Sequence, residues 1–423
     1  MEPESVAVLF GEEVMLRNRD TEHRFRQDSN VWYLTGLEEP QVVCLFVRPA
    51  EGDGELILFV EPRDATKECW TGPMVGLEGA TAVYGADVAA SIAELTPILA
   101  ERMGNMATLY YRLGDHEARD RLVLDALRRV RGMARQNISA PTTIIDPTPI
   151  LHEMRLIKDT DEIACLRRAC ALSADGHREA MRVAQVGMFE YEVEGFLEGY
   201  YRRGGARRNA FEPIVAAGPN ATVLHYTKND RRIAAGDLLL IDAGAEVDYY
   251  CGDITRTFPV GGRFSDEQRA IYQLVLDAQK AAIAVVRPGL PWDGVHQAAL
   301  EVLVDGLIAL GLLGGTREEA LESGSYKAYY MHKTGHWLGL DVHDVGEYGK
   351  PGAWRELEPG MVLTVEPGLY IAPGSEADER YHGIGVRIED NLLVTEDGGE
   401  VLTGGVPKEI DEIEAWVLGA PLS

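Results

Sequence analysis

Along the first 150 residues, short apolar runs alternate with stretches of helical period. Residues 42–47 and 55–60 are almost continuously apolar, the pattern of strands buried on both faces. From 115 to 130 the apolar positions recur at helical spacing. Pro141, Pro147 and Pro149 then cluster in ISAPTTIIDPTP, and this run of helix and strand breakers predicts a linker. A domain boundary near residue 150 follows, giving units of 1–150 and 151–423.

Beyond that boundary the helices announce themselves by their first turns. Asp159 and Glu162 form a capping box ahead of a helix that carries Ile163, Leu166 and Cys170 on one face. Ser265 with Gln268 and Thr316 with Glu319 repeat that signature. The helix after Ser265 stops at Arg287-Pro288-Gly289, and Pro291 opens another that runs to Gly311. Between them lie strand-like runs at 237–243, 249–260, 361–365 and 384–394. Helices in several blocks and hairpins in others predict an α+β arrangement in place of a βαβ repeat. No short-period repeat or low-complexity tract is present.

At 423 residues the chain is longer than one core usually supports, and its 46% apolar and 26% charged residues are ordinary for globular proteins. A formal charge of −27 argues against unaided binding to nucleic acid or to an anionic membrane, which needs clustered Lys and Arg. The same charge fits an acidic surface that keeps a protein dispersed. Cys44, Cys69, Cys165, Cys170 and Cys251 are odd in number and lack CxxC spacing, so neither a disulfide framework nor a zinc cluster is expected. The first twenty residues lack a basic segment followed by an apolar one, and no apolar stretch approaches 18 residues. A cytoplasmic location is the expectation.

Candidate chemistry begins in DLLLIDAGAEVDYYCGDITRTFPV, two strand-like runs flanking a turn. A turn at Val247-Asp248 sets Asp242 directly opposite Asp253, with Cβ atoms roughly 4.5–5.5 Å apart on one face. Two bare carboxylates at that distance repel unless a cation lies between them. Capping of the hairpin, or pairing with Arg256, is the plainer alternative. In MHKTGHWLGLDVHD, three of the ten histidines, His332, His336 and His343, fall within twelve residues, and Gly335 and Gly339 make a continuous helix there doubtful. In TVEPGLYI and GIGVRIEDNLL, Glu366 and Glu389 each follow an apolar residue at a strand end, and a buried carboxylate needs a partner or a cation. Arg387, two residues before Glu389, projects from the same face and offers that partner. Cys251, two residues before Asp253, is placed by alternation on the same side as that aspartate, where packing is its simplest role. Two Asp, two Glu and one His make a ligand set suited to two divalent ions of the Mn, Co or Zn type.

The ordered set Asp242, Asp253, His336, Glu366 and Glu389, in these flanking strings, resembles the metal site of the pita-bread metallopeptidases, which include methionine aminopeptidase, prolidase and Xaa-Pro aminopeptidase. HEMRLIKDTDEIACLRRA looks like the start of their catalytic domain, and RFRQDSNVWYLTG is similar to the N-terminal domain of the bacterial Xaa-Pro enzymes, so the resemblance spans nearly the whole chain. It implies a C-terminal pita-bread domain of two pseudo-symmetric halves and an N-terminal creatinase-like α/β domain. By the same resemblance Asp242 binds one ion, Asp253 and Glu389 bridge two, and His336 and Glu366 hold the second, with Mn2+ expected ahead of Co2+ or Zn2+. His225 in AAGPNATVLHY, His332 and His343 match non-ligand active-site histidines.

The chemistry implied is hydrolysis of the bond before a proline at position 2 of a peptide, by a hydroxide shared between the ions. Glu366 is the expected proton shuttle, His225 and His343 the donors to the oxyanion, and Arg387 the group that orients the carboxylates. His332, His343 and Arg387 are expected around the pyrrolidine ring. Prolidase, restricted to Xaa-Pro dipeptides, is the alternative. Methionine aminopeptidase usually lacks so large an N-terminal domain, and non-catalytic relatives replace ligands that are all retained here. The resemblance also implies a homodimer or homotetramer.

Overall fold

The computed structural model describes residues 1–419, in two compact units, Met1–Leu151 and the chain from His152 onward. The division falls inside the helix Thr148–Leu156.

The first unit is built on a mixed six-stranded sheet, ordered Val88–Ser91, Glu55–Val60, Val43–Arg48, Ser5–Phe10, Thr108–Tyr110, Thr143–Ile145. Its central strands read as continuous apolar runs because both faces are covered. Val43, Leu45, Val47, Ile57 and Phe59 pack with Leu99, Met103, Val123 and Leu127 on one side. Cys44, Leu58 and Val60 pack with Val31 and Ala80 on the other. The proline-rich stretch is more ordered than a linker: Thr143–Ile145 completes the sheet by pairing in parallel with Thr108–Tyr110.

The second unit repeats one order of elements. A helix pair, Thr160–Val183 and Glu190–Arg203, precedes the strands Ile214–Ala217, Leu238–Ala243 and Ile254–Pro259. A second pair, Asp266–Val285 and Asp293–Ala309, precedes the strands Val362–Val365, Gly368–Ile371, Ile384–Arg387 and Asp390–Thr395. The capping boxes at Asp159/Glu162, Ser265/Gln268 and Thr316/Glu319 all form. One continuous core joins the halves, from Leu197 and Leu239 to Leu303 and Val365.

The hairpin carrying the two aspartates differs from the sequence-based expectation. Its turn residues are Asp248 and Tyr249, both at positive φ (49° and 71°), the backbone of a tight primed turn without glycine. That shifts the register, so Asp242 lies opposite Thr255, and Asp253 falls just beyond the last paired residues, Ala243 and Ile254. The hairpin is also interrupted: Ala245–Val247 pairs with Tyr250–Cys251, and Gly252-Asp253 separate that short strand from Ile254–Pro259. A Cβ on Gly244 would lie 1.7 Å from the Gly252 carbonyl oxygen, so only glycine permits the pinch. The run 384–394 is likewise two strands. Ile384–Arg387 pairs with Gly368–Ile371, whereas Asp390–Thr395 pairs with Val362–Val365, and Glu389 stands at the switch.

Candidate metal centre

All nine residues singled out in the sequence meet on one cavity of about 490 Å3, with Phe211, Ile214, Leu224 and Val342 as its apolar wall. Asp242 lies in the strand Leu238–Ala243 and Asp253 in the break just before Ile254–Pro259, both of the first half; Glu366 follows the strand Val362–Val365 and Glu389 precedes Asp390–Thr395, both of the second. His336 comes from the irregular 331–348 segment, where Gly335 abuts the carbonyl of Thr364 and Trp337 bridges to Leu363.

Ligand atoms of Asp253, His336 and Glu389 lie within 4.8 Å of one another. His336 Nε2 is 3.3 Å from Asp253 Oδ2 and 3.6 Å from Glu366 Oε1. Its Nδ1 is 2.9 Å from the Trp337 carbonyl oxygen, which only accepts, so the proton belongs on Nδ1 and the Nε2 lone pair faces the carboxylates. A lone pair aimed at carboxylate oxygens is repulsive without a cation between them. Asp242 Oδ1 and Asp253 Oδ1 are buried and lack hydrogen-bond partners among the described residues. Burial, then the charges of Asp242 and Glu366, pushes the Asp253 carboxyl up. Burial, then Asp253, Glu366 and Asp242, does the same to Glu389. These donors therefore fit divalent metal ions: oriented oxygens and one imidazole, too closely packed to be left uncompensated.

Arg387 does not pair with Glu389. Its Nη2 donates to Asp242 Oδ2 at 2.6 Å, Nη1 to the Tyr370 hydroxyl at 3.0 Å and Nε to Thr255 Oγ1 at 3.1 Å. Thr255 Oγ1 in turn donates to Glu389 Oε2 at 2.6 Å, filling the position that the register expected Asp253 to occupy. Arg256 is also engaged elsewhere, with Asp390 Oδ1 at 2.7 Å, so neither aspartate depends on it. Cys251 is off the cavity wall, its thiol directed at the Leu340 carbonyl, because the break at Gly252-Asp253 interrupts strand alternation.

His332 is held at both nitrogens. Nδ1 faces the Lys333 carbonyl at 2.7 Å and so carries the proton, which leaves Nε2 to accept from the Tyr370 hydroxyl at 2.8 Å. Burial, reinforced by Arg387, lowers its pKa to about 4, so it is neutral at pH 7. His343 is lowered by burial and then by His336, whose ring lies edge-on at 4.3 Å. Exposed His225 completes the rim. Tyr370, Thr255 and Thr364 escaped sequence reasoning. Tyr370 lies inside the quoted TVEPGLYI, but nothing local marks a tyrosine as the partner of an arginine and a histidine.

Residues 164–396 match metallopeptidase family M24. The chain belongs to that family. Residues 1–110 match the aminopeptidase P N-terminal domain. The Xaa-Pro aminopeptidase of Escherichia coli (strain K12) is 43% identical over 420 residues, covering 99% of this chain and 95% of the relative. That of Haemophilus influenzae is 45% identical over 414 residues, covering 98% and 93%. Among solved structures, Pseudomonas aeruginosa aminopeptidase PepP superposes with a TM-score of 0.96 at 48% identity, over 99% of this chain and 95% of that one. Zn-substituted E. coli aminopeptidase P in complex with product gives 0.96 at 43% identity, over 100% and 96%. The M24 unit from His152 is the pita-bread domain, and the N-terminal unit is creatinase-like.

Proposed function

We propose that the chain is an Xaa-Pro aminopeptidase, releasing the first residue of peptides whose second residue is proline. The observation that carries this is the near-full-length identity of 43–45% to enzymes of that name, joined to a cavity on which Asp242, Asp253, His336, Glu366 and Glu389 converge. The same relatives favour this reading over prolidase.

Asp242, Asp253, His336, Glu366 and Glu389 would hold two divalent ions, Mn2+ ahead of Co2+ or Zn2+. When bound, such ions supply a nucleophile that ionises near neutral pH and a Lewis acid for the scissile carbonyl. The chain's own residues do the rest. Arg387 stays charged, since Tyr370, Asp242 and Glu366 outweigh the burial that opposes its charge, and it fixes Asp242 in place. Glu366 is raised by burial, with His336 and Arg387 pulling it back. Its Oε1 accepts from Thr364 Oγ1 at 3.4 Å, which orients the carboxylate, and Glu366 would pass a proton from the attacking water to the proline nitrogen. A tertiary amide nitrogen must gain that proton to leave as an amine. His225 and His343 stand on the cavity wall as donors to the carbonyl oxygen. Phe211, Leu224 and Val342 with the neutral His332 provide the apolar surroundings a pyrrolidine ring needs.

A cytoplasmic enzyme acting as a homodimer or homotetramer completes the proposal, supported by the five free thiols and the family resemblance. No described helix is long and apolar enough to cross a membrane. The test is cleavage of an Ala-Pro-Ala tripeptide beside an Ala-Pro dipeptide, with products separated by chromatography. Release of alanine and intact Pro-Ala supports the reading; turnover of the dipeptide alone contradicts it.

A further inference from the structure

Asp253 sits where its strand is broken. It lies outside both ladders of the hairpin, between Tyr250–Cys251 and Ile254–Pro259. Across from it, the Gly244 carbonyl is taken by the Ala210 amide at 2.8 Å, and Gly252 N–H goes to the Ala245 carbonyl at 3.0 Å. The amide and carbonyl of Asp253 therefore need partners from outside the hairpin, because an unpaired buried peptide group is costly. Asn391 supplies both. Its Oδ1 accepts from Asp253 N–H at 3.0 Å, and its Nδ2 donates to the Asp253 carbonyl at 2.5 Å.

The carboxamide is itself fully determined. Asn391 is wholly buried. Cys170 Sγ also donates to Oδ1 at 3.2 Å, so two donors converge on one end and a single acceptor faces the other, which fixes which end is oxygen. The Asn391 amide donates to Thr403 Oγ1 at 3.0 Å, and its carbonyl accepts from Leu402 N–H at 2.8 Å. Asn391 follows Glu389 by two residues, so one short segment carries both the carboxylate that faces the Asp253 carboxylate and the amide that grips the Asp253 backbone.

We propose that Asn391 is a positioning residue that sets the spacing between Asp253 and Glu389 by standing in for the ladder strand that the broken hairpin lacks. The inference rests on the reading of this cavity as a metal centre. Asn391 is buried and does not line the cavity, so its effect is on metal affinity.

The experiment is calorimetric titration of chelator-stripped protein with Mn2+ alone, comparing wild type with Asn391→Ala and Asn391→Leu. Leu303→Ala, a core truncation in the helix Asp293–Ala309, controls for lost stability. Partners that orient metal ligands typically contribute about 10–100-fold to affinity, and a loss of that size is expected for the Asn391 variants. Leu303→Ala is expected to melt earlier with wild-type affinity. Should Asn391→Leu fail to fold, Asn391→Ala, whose space admits water, gives the same reading. A folded Asn391→Ala with wild-type affinity overturns the proposal, as does an equal loss in Leu303→Ala. Wild-type protein that binds no Mn2+ overturns the metal reading itself, and the Asn391 proposal with it.

Discussion

Arg387 reaches across to Asp242, with 2.6 Å between Nη2 and Oδ2, and not to Glu389 two residues along its own chain. The guanidinium therefore restrains one edge of the cluster, while Thr255 restrains Glu389 at the other. A three-pronged fork that also holds Tyr370 and Thr255 cannot be reproduced by an ammonium. Arg387→Lys should lower kcat/KM by about 10–100-fold, the usual cost of losing a group that orients a metal ligand. Wild-type kinetics in Arg387→Lys would show that the charge alone matters.

Asp253→Ala removes the carboxylate nearest His336. Metal content, measured by atomic emission after dialysis, should fall below two ions per chain, and most turnover should be lost. Near-normal turnover would mean that Asp253 is not a ligand.

The order Arg387, Tyr370, His332 is a directed chain of donors: Arg387 N–H to the phenol oxygen, phenol O–H to His332 Nε2. Tyr370→Phe breaks it, freeing Nε2 and leaving an arginine hydrogen unpaired. The variant should fold and lose about 10-fold in kcat, with His332 showing a changed tautomer balance by 15N NMR. An unaltered His332 spectrum would remove Tyr370 from the chain.

Behind the site, Asp390 is buried, and Arg256 and Lys408 overcome that burial to hold its carboxyl at about 2 instead of the ordinary 3.8. A folded value below the unfolded one adds stability above about pH 4, and this is lost as pH falls toward 2. The shift corresponds to roughly 2–3 kcal/mol. Urea unfolding of Asp390→Asn should show its largest deficit near neutral pH, narrowing below pH 4. A deficit independent of pH would contradict the ion pair's role.

Much of this was legible in the chain because it is encoded locally. The three capping boxes needed only residues three apart, and the central strands needed only unbroken apolar runs. Two features depended on backbone events that composition does not advertise. The turn at Asp248-Tyr249 adopts positive φ without glycine or asparagine, so the register moved and Asp242 met Thr255 in place of Asp253. The breaks at Gly252-Asp253 and Ile388-Glu389 divided runs that looked continuous, which is why Asn391 and Thr255 were passed over. The partner of Arg387 lies 145 residues away, and no spacing rule reaches that far.

The most direct test of the account is metal reconstitution. The protein is stripped exhaustively by chelator, then titrated with Mn2+ while cleavage of an Xaa-Pro-Xaa tripeptide is followed. Activity should vanish in the stripped protein and return to a plateau near two ions per chain. Tripeptide cleavage that persists in metal-free protein, and that Mn2+ does not increase, would contradict it.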